Sequence, residues 1–189
     1  MLGINAAGDD LAALASAVAS ARAVGVHAIR VRLDRGRADA GRAGLAHPRR
    51  RARGARGGGV RRLAVIDASP AWARRDPPAL RHGGRVPSGR ARPASAAPTE
   101  PADLGRFVAV RGALPRRADR PEVWREPNVL PHWCGGGLDP EAYAALLVAA
   151  AGAARTAAPG VPVISAGLAP TTDVGVCAMS DYVYLDRLA

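Results

Sequence analysis

The chain contains no lysine. All 27 of its basic residues are arginine, and against 16 acids they give a formal charge of +11. Phenylalanine occurs once, aromatic residues make up 4% of the chain, and there are two cysteines, Cys134 and Cys177. Two thiols cannot build a disulfide framework, and with few ligating neighbours they do not spell a zinc site, so they are read as ordinary thiols. No stretch approaches the roughly 20 consecutive apolar residues of a membrane span, which excludes a membrane partner from the reading. No basic start leads into an apolar h-region, so no signal peptide is read and the compartment stays open. Alanine supplies much of the 48% hydrophobic content, which predicts a thin core, because a buried alanine removes little apolar area from water.

The charge is unevenly placed. Between Arg30 and Arg62 lie 12 of the arginines and only two acids, Asp34 and Asp39; the rest of the chain carries 15 arginines against 14 acids. The protein therefore reads as a nearly neutral chain with one basic insert, centred on Pro48-Arg49-Arg50-Arg51-Ala52-Arg53-Gly54. That insert has neither helical nor strand periodicity, which predicts loop or disorder over residues 35–60. A second such stretch, rich in Pro, Gly and Arg, covers residues 76–98. An arginine-rich run can bind phosphate backbones nonspecifically, but it lacks interleaved aromatics, so an Arg-rich nucleic-acid-binding protein is the least favoured of the alternative readings. Both stretches, from about Arg35 to Gly59 and from Arg81 to Pro98, have the composition that a shifted frame of a GC-rich gene yields.

The remaining sequence has the rhythm of a parallel α/β fold. Leu2 to Asn5 reads as a first strand. Leu11, Leu14, Val18, Ala21 and Val24 then recur at helical spacing until Gly25. Val26 to Leu33 and Leu63 to Ile66 read as strands, the latter followed by Asp67. Thr99 to Val110 is a helix with Pro101 in its first turn and Leu104, Phe107 and Val108 on one side. Pro121 to Glu126 is a fourth strand, its proline accepted at the start. Asp139 caps a helix that begins at Pro140 and buries Tyr143, Leu146, Leu147 and Ala150. Val161 to Ser165 is a fifth strand, and Ser180 to Leu188 opens another helix.

Glu126 is thereby placed at the end of the fourth strand, beside Trp124. A strand end holds a carboxylate rigidly while the following loop can approach a ligand. Proline after the glutamate ends the strand, and a nearby indole favours the neutral acid by desolvation, which suits general acid catalysis. His132 and His27 are read as surface or packing residues.

The segment Glu122-Val123-Trp124-Arg125-Glu126-Pro127-Asn128, followed by His132-Trp133 and Asp139-Pro140-Glu141-Ala142-Tyr143, resembles the Trp-Asn-Glu-Pro-Asn region of clan A retaining glycoside hydrolases. The nearest resemblance is to the cellulase and β-xylosidase groups. It extends to Gly3-Ile4-Asn5, Ile29-Arg30-Val31, Ala64-Val65-Ile66 with Ser69-Pro70-Ala71-Trp72, and Ser165 to Pro170. The resemblance implies an α/β chain forming a partial (β/α)8 TIM barrel of roughly the first five βα units, a single domain over residues 1–189 interrupted by the two inserts. A closed barrel takes about 250 residues, so a truncated chain is expected.

The resemblance further implies hydrolysis of O-glycosidic bonds in poly- or oligosaccharides, with Glu126 as the acid/base. Trp133 and Trp72 each read either as a stacking platform for a sugar face or as a structural tryptophan under a loop; Arg30 would be a brace for the active-site carboxylates and Asn128 a further substrate-binding residue. No cofactor or metal is called for, since two carboxylates and water suffice. The family's nucleophile lies on the seventh strand, beyond the five read here, so an inactive chain or a noncatalytic carbohydrate-binding remnant is also expected. Where the family has asparagine before the acid/base, this chain has Arg125, a donor-only side chain. Open sheet edges predict self-association.

Overall fold

The computed structural model describes residues 3–6, 16, 18–20, 22–26, 28–34, 61–74, 96–112, 119–133 and 137–189. The basic insert and most of the second insert lie outside the described residues, as does the frame-shift reading that concerns them.

Among the described residues five strands form one sheet: β1 (Gly3–Ala6), β2 (Ala28–Asp34), β3 (Arg61–Asp67), β4 (Asp119–Val123) and β5 (Ile164–Ser165). Their order is β1-β2-β3-β4-β5, and every neighbouring pair is parallel. Among the described residues the helices with full bounds are α1 (Pro101–Gly112), α2 (Pro140–Ala157) and α3 (Asp181–Asp186), with a short 3-10 turn at Ala71–Ala73. Residues 16, 18–20, 22 and 23 are also helical, ahead of Gly25 at φ 73°. Val18 is buried there, but Val24, which the spacing places on the apolar face, lies in the turn and is exposed.

A strand order that always steps the same way has one geometric consequence. Right-handed crossovers then lay successive helices on the same face of the sheet. The core shows this: Ile66 of β3 and Val123 of β4 pack with Leu104, Phe107 and Val108 of α1 and with Tyr143, Leu146 and Ala150 of α2. These are the helical stripes that the apolar spacing predicts. Asp139 accepts a hydrogen bond from the Ala142 amide at 2.8 Å and Pro140 opens α2, as expected of the cap. Gly105 lets the two helices approach closely, because a Cβ there would sit 3.0 Å from the Ala149 carbonyl oxygen.

The thin alanine core is reinforced by a chain of rings. Trp124 meets Trp133 edge-on at 5.5 Å, Trp133 meets Tyr143 at 6.2 Å, and Tyr143 lies 6.2 Å from Tyr184. Such edge-to-face pairs add about 0.5 to 1.5 kcal/mol beyond their burial. Tyr184 brings α3 into this core, and Arg187 clamps Glu141 of α2 with Nε to Oε1 at 3.0 Å and Nη2 to Oε2 at 2.6 Å. That guanidinium holds the Glu141 carboxyl below its ordinary value.

Two strands are shorter than the sequence predicts. β4 stops at Val123 instead of Glu126, and β5 spans Ile164–Ser165 instead of Val161 to Ser165. Pro121 is the third residue of β4 and not its start; it faces Ala64 of β3, in the stretch before pairing with β5 begins at Glu122. Among the described residues no helix is long and apolar enough to cross a membrane.

Candidate functional site

The second face of the sheet is polar. Side chains at registered positions of neighbouring parallel strands point the same way. Register pairs Asn5 with Arg30, Arg30 with Leu63, Arg32 with Val65, Val65 with Glu122, and Glu122 with Ile164. Asn5, Arg30, Arg32, Leu63, Val65, Glu122 and Ile164 therefore share the face opposite the helices. A parallel sheet ordinarily buries apolar residues on both faces, so charges here need partners.

They have them. Arg30 reaches across β3 to Glu122, Nε donating to Oε2 at 2.7 Å and Nη2 to Oε1 at 2.6 Å. Glu122 is 3% exposed, and its hydrogen bonds hold the Arg30 guanidinium above its ordinary value. Beside this pair, Arg32 Nε donates to both oxygens of buried Asp67 at 2.8 and 2.7 Å. Arg30 thus braces a carboxylate, and that carboxylate is Glu122, not Glu126.

After Val123 the backbone leaves the strand geometry. Trp124 has φ 73° and Glu126 φ 44°, both in the left-handed region that non-glycine residues enter only at a cost. In a continued strand Glu122, Trp124 and Glu126 would all point to the polar face. The left-handed turn at Trp124 instead places its indole in the core, 1% exposed, with Nε1 donating to the His132 carbonyl at 2.9 Å. The chain remains anchored through it: the Trp124 amide donates to the Ile66 carbonyl at 2.9 Å, and the Glu126 amide to the Gly167 carbonyl at 3.0 Å.

The Trp124 indole is thus in the core, and the groups that approach the Glu126 carboxylate are cationic and imidazole nitrogens. Its Oε2 lies 2.9 Å from His132 Nε2 and 3.7 Å from Arg125 Nε. Arg125 Nη2 is in turn 2.8 Å from the same imidazole nitrogen. Glu126 lines a cavity of about 440 Å³ with Asn5, Arg30, Glu122 and residues 164–168. Two of the sequence-predicted site residues, Glu126 and Arg30, are brought together there.

The other three are not. Trp133 is 3% exposed and wedged between Trp124 and Tyr143, so its faces are covered by core and it cannot serve as a sugar platform. Asn128 is fully buried, with Nδ2 donating to the Ala169 and Met179 carbonyls at 2.8 and 3.0 Å and Oδ1 accepting from the Ala169 amide at 2.9 Å. With its amide committed to two loops, it is a backbone clamp and not a substrate ligand. Trp72 is exposed on the 3-10 turn after β3 and does not line the cavity.

Three lining or neighbouring groups go unread as site residues in the sequence: Asn5, Glu122 and His132. The signal for Glu122 was present in part. A carboxylate within a buried strand requires a cation, but the sequence does not say which arginine supplies it.

No protein-family model and no curated protein sequence matches this chain.

Proposed function

We propose that this cavity binds a β-linked sugar and that Glu126 is the acid/base group of a retaining glycoside hydrolase. The observation that carries this reading is the position of Glu126. It stands just beyond β4 and lines one cavity with Asn5 of β1, Arg30 of β2 and the segment leaving β5. Sequential parallel strands with helices on one face and paired charges on the other are what the first five units of a (β/α)8 barrel would present. Catalytic groups of that architecture come from several strand ends at the carboxyl face.

In the proposed reaction Glu126 protonates the glycosidic oxygen as the bond to the anomeric carbon breaks, and its carboxylate later takes a proton from the attacking water. Retention also requires a nucleophilic carboxylate roughly 5 Å from the acid. Glu122 does not suit that part, since both of its oxygens are held by Arg30. The described cavity therefore offers one carboxylate for chemistry.

That asymmetry defines the test. Azide can stand in for a missing nucleophile by attacking the anomeric carbon while Glu126 protonates the departing aryl oxide. We expect azide-dependent release of the aryl alcohol from an aryl β-xyloside or β-glucoside with a poor leaving group, lost in Glu126→Gln. Oligosaccharide binding without such cleavage keeps the carbohydrate and removes the acid. Neither binding nor cleavage overturns the assignment.

A further inference from the structure

One nitrogen, Nε2 of His132, stands 2.9 Å from Glu126 Oε2 and 2.8 Å from Arg125 Nη2. It cannot serve both at once. A guanidinium only donates, so its hydrogen bond requires a lone pair on Nε2, whereas a bond to the carboxylate requires a proton there. Arg125 Nε is buried and has no hydrogen-bond partner, and it lies 3.7 Å from the same Glu126 oxygen. The site thus holds one carboxylate oxygen between two donors, and the proton on the imidazole selects which of them holds it.

We infer that His132 is a positioning residue for Glu126, acting through the proton on Nε2. With that proton present, Nε2–H donates to Oε2 and fixes the carboxylate; Oε1, which has no hydrogen-bond partner among the described residues, is left for the ligand. When the proton moves to Nδ1 through solvent, or is lost to water, Nε2 accepts from Arg125 Nη2 and the imidazole no longer holds Oε2. Arg125 Nε then closes on that oxygen. The role rests on the acid/base reading of Glu126; the hydrogen-bond exchange itself does not.

The surroundings favour such an exchange over a static contact. The Trp124 indole pins the His132 carbonyl, and the His132 amide donates to the Val129 carbonyl at 3.0 Å, so the imidazole is carried on a fixed backbone. The charged groups facing the cluster are Arg125 and Glu126 from its own segment, with Glu122 of β4 and Arg30 of β2 lining the cavity beside Glu126. Arg30 feels the charge of Glu126 across the cavity but is held by Glu122, and His132 and Arg125 are the groups whose nitrogens approach the Glu126 carboxylate. Arg125 occupies the position where the resembling family has asparagine, and an asparagine there would not compete for the imidazole as a permanent cation.

The test is NMR of the full chain without sugar. The ring nitrogens of His132 and the side-chain carboxyl carbon of Glu126 are followed across about pH 5 to 8, where imidazole changes charge. We expect the Glu126 carbon to show an inflection coincident with that of His132. His132→Gln, which keeps a donor that does not titrate, should abolish that inflection, and Arg125→Asn should shift the His132 ring toward the Nε2–H form. A Glu126 signal that ignores His132→Gln overturns the inference, as does a His132 ring locked with its proton on Nδ1 throughout. Should the variants fail to fold, the wild-type ring signals alone decide. Coupling without sugar binding would leave the exchange standing and remove the glycosidase, and sugar binding without coupling would do the reverse.

Discussion

Arg30 and Glu122 sit on strands that are not neighbours, yet their side chains meet in a two-pronged ion pair across β3. Glu122 is almost fully buried while Arg30 keeps some access to water, so the two halves of the pair are unequal. Removing the cation strands a buried charge, whereas removing both leaves a sheet face that apolar groups can fill. Arg30→Met should cost about 3 kcal/mol, at the low end for a broken buried pair because water can reach the gap. Arg30→Met combined with Glu122→Leu should recover most of that loss. Urea denaturation of the two singles and the double checks it, and additive losses would show that the two side chains do not depend on each other.

Asn128 ties the loop after β4 to both the segment after β5 and the strand-like stretch before α3. Asn128→Ala leaves the Ala169 amide and the carbonyls of Ala169 and Met179 without the partner that this fully buried side chain supplies. A loss of about 3 kcal/mol is expected. Hydrogen exchange at the Ala169 amide should accelerate first, since that bond is removed directly. Unchanged protection there, with sugar binding lost, would return Asn128 to the ligand side.

Trp133 and Trp72 separate a core role from a surface one. Trp133→Ala removes the ring between Trp124 and Tyr143 and should cost about 3 to 5 kcal/mol. Trp72→Ala, on an exposed turn, should stay within about 0.5 kcal/mol. Thermal unfolding of the two variants measures the contrast. A stable Trp133→Ala that loses only oligosaccharide affinity would contradict the burial described for it.

The elements carried by periodicity and caps are legible in the sequence. Leu104, Phe107 and Val108 mark α1, and the Asp139-Pro140 start with Tyr143, Leu146 and Ala150 marks α2, because a 3.6-residue stripe has one way to be buried. The path of the chain after Val123 is not legible. Positive φ is announced by glycine or asparagine, and here it falls on Trp124 and Glu126, so extended geometry is the natural expectation. Trp133 misleads for a related reason: tryptophan serves cores and platforms alike, and only its contacts with Trp124 and Tyr143 decide. The Arg30–Glu122 pair spans 92 positions, a distance over which residue type alone cannot choose among 27 arginines.

The scarcity of other titrating groups turns two buried phenols into a readable probe. Tyr143 donates its hydroxyl to the Val123 carbonyl at 3.0 Å and accepts from the Ala166 amide at 2.6 Å, and burial pushes it up to about 12. Burial raises Tyr184 in the same direction. In the unfolded chain a phenol ionises near 10, so between about 10 and about 12 the unfolded state binds fewer protons than the fold. Stability is therefore fully present below pH 10 and falls as pH rises through this window, by at most about 3 kcal/mol for Tyr143. Most proteins blur this range with lysine. This chain has none, and arginine stays charged throughout. Urea midpoints at about pH 9 and about pH 11, read with tyrosinate absorbance, should differ in the wild type. Tyr143→Phe should start lower, by about 1 to 3 kcal/mol for the hydrogen bonds it abandons, and then lose less between the two pH values. Equal slopes in both proteins would mean that Tyr143 ionises as readily folded as unfolded.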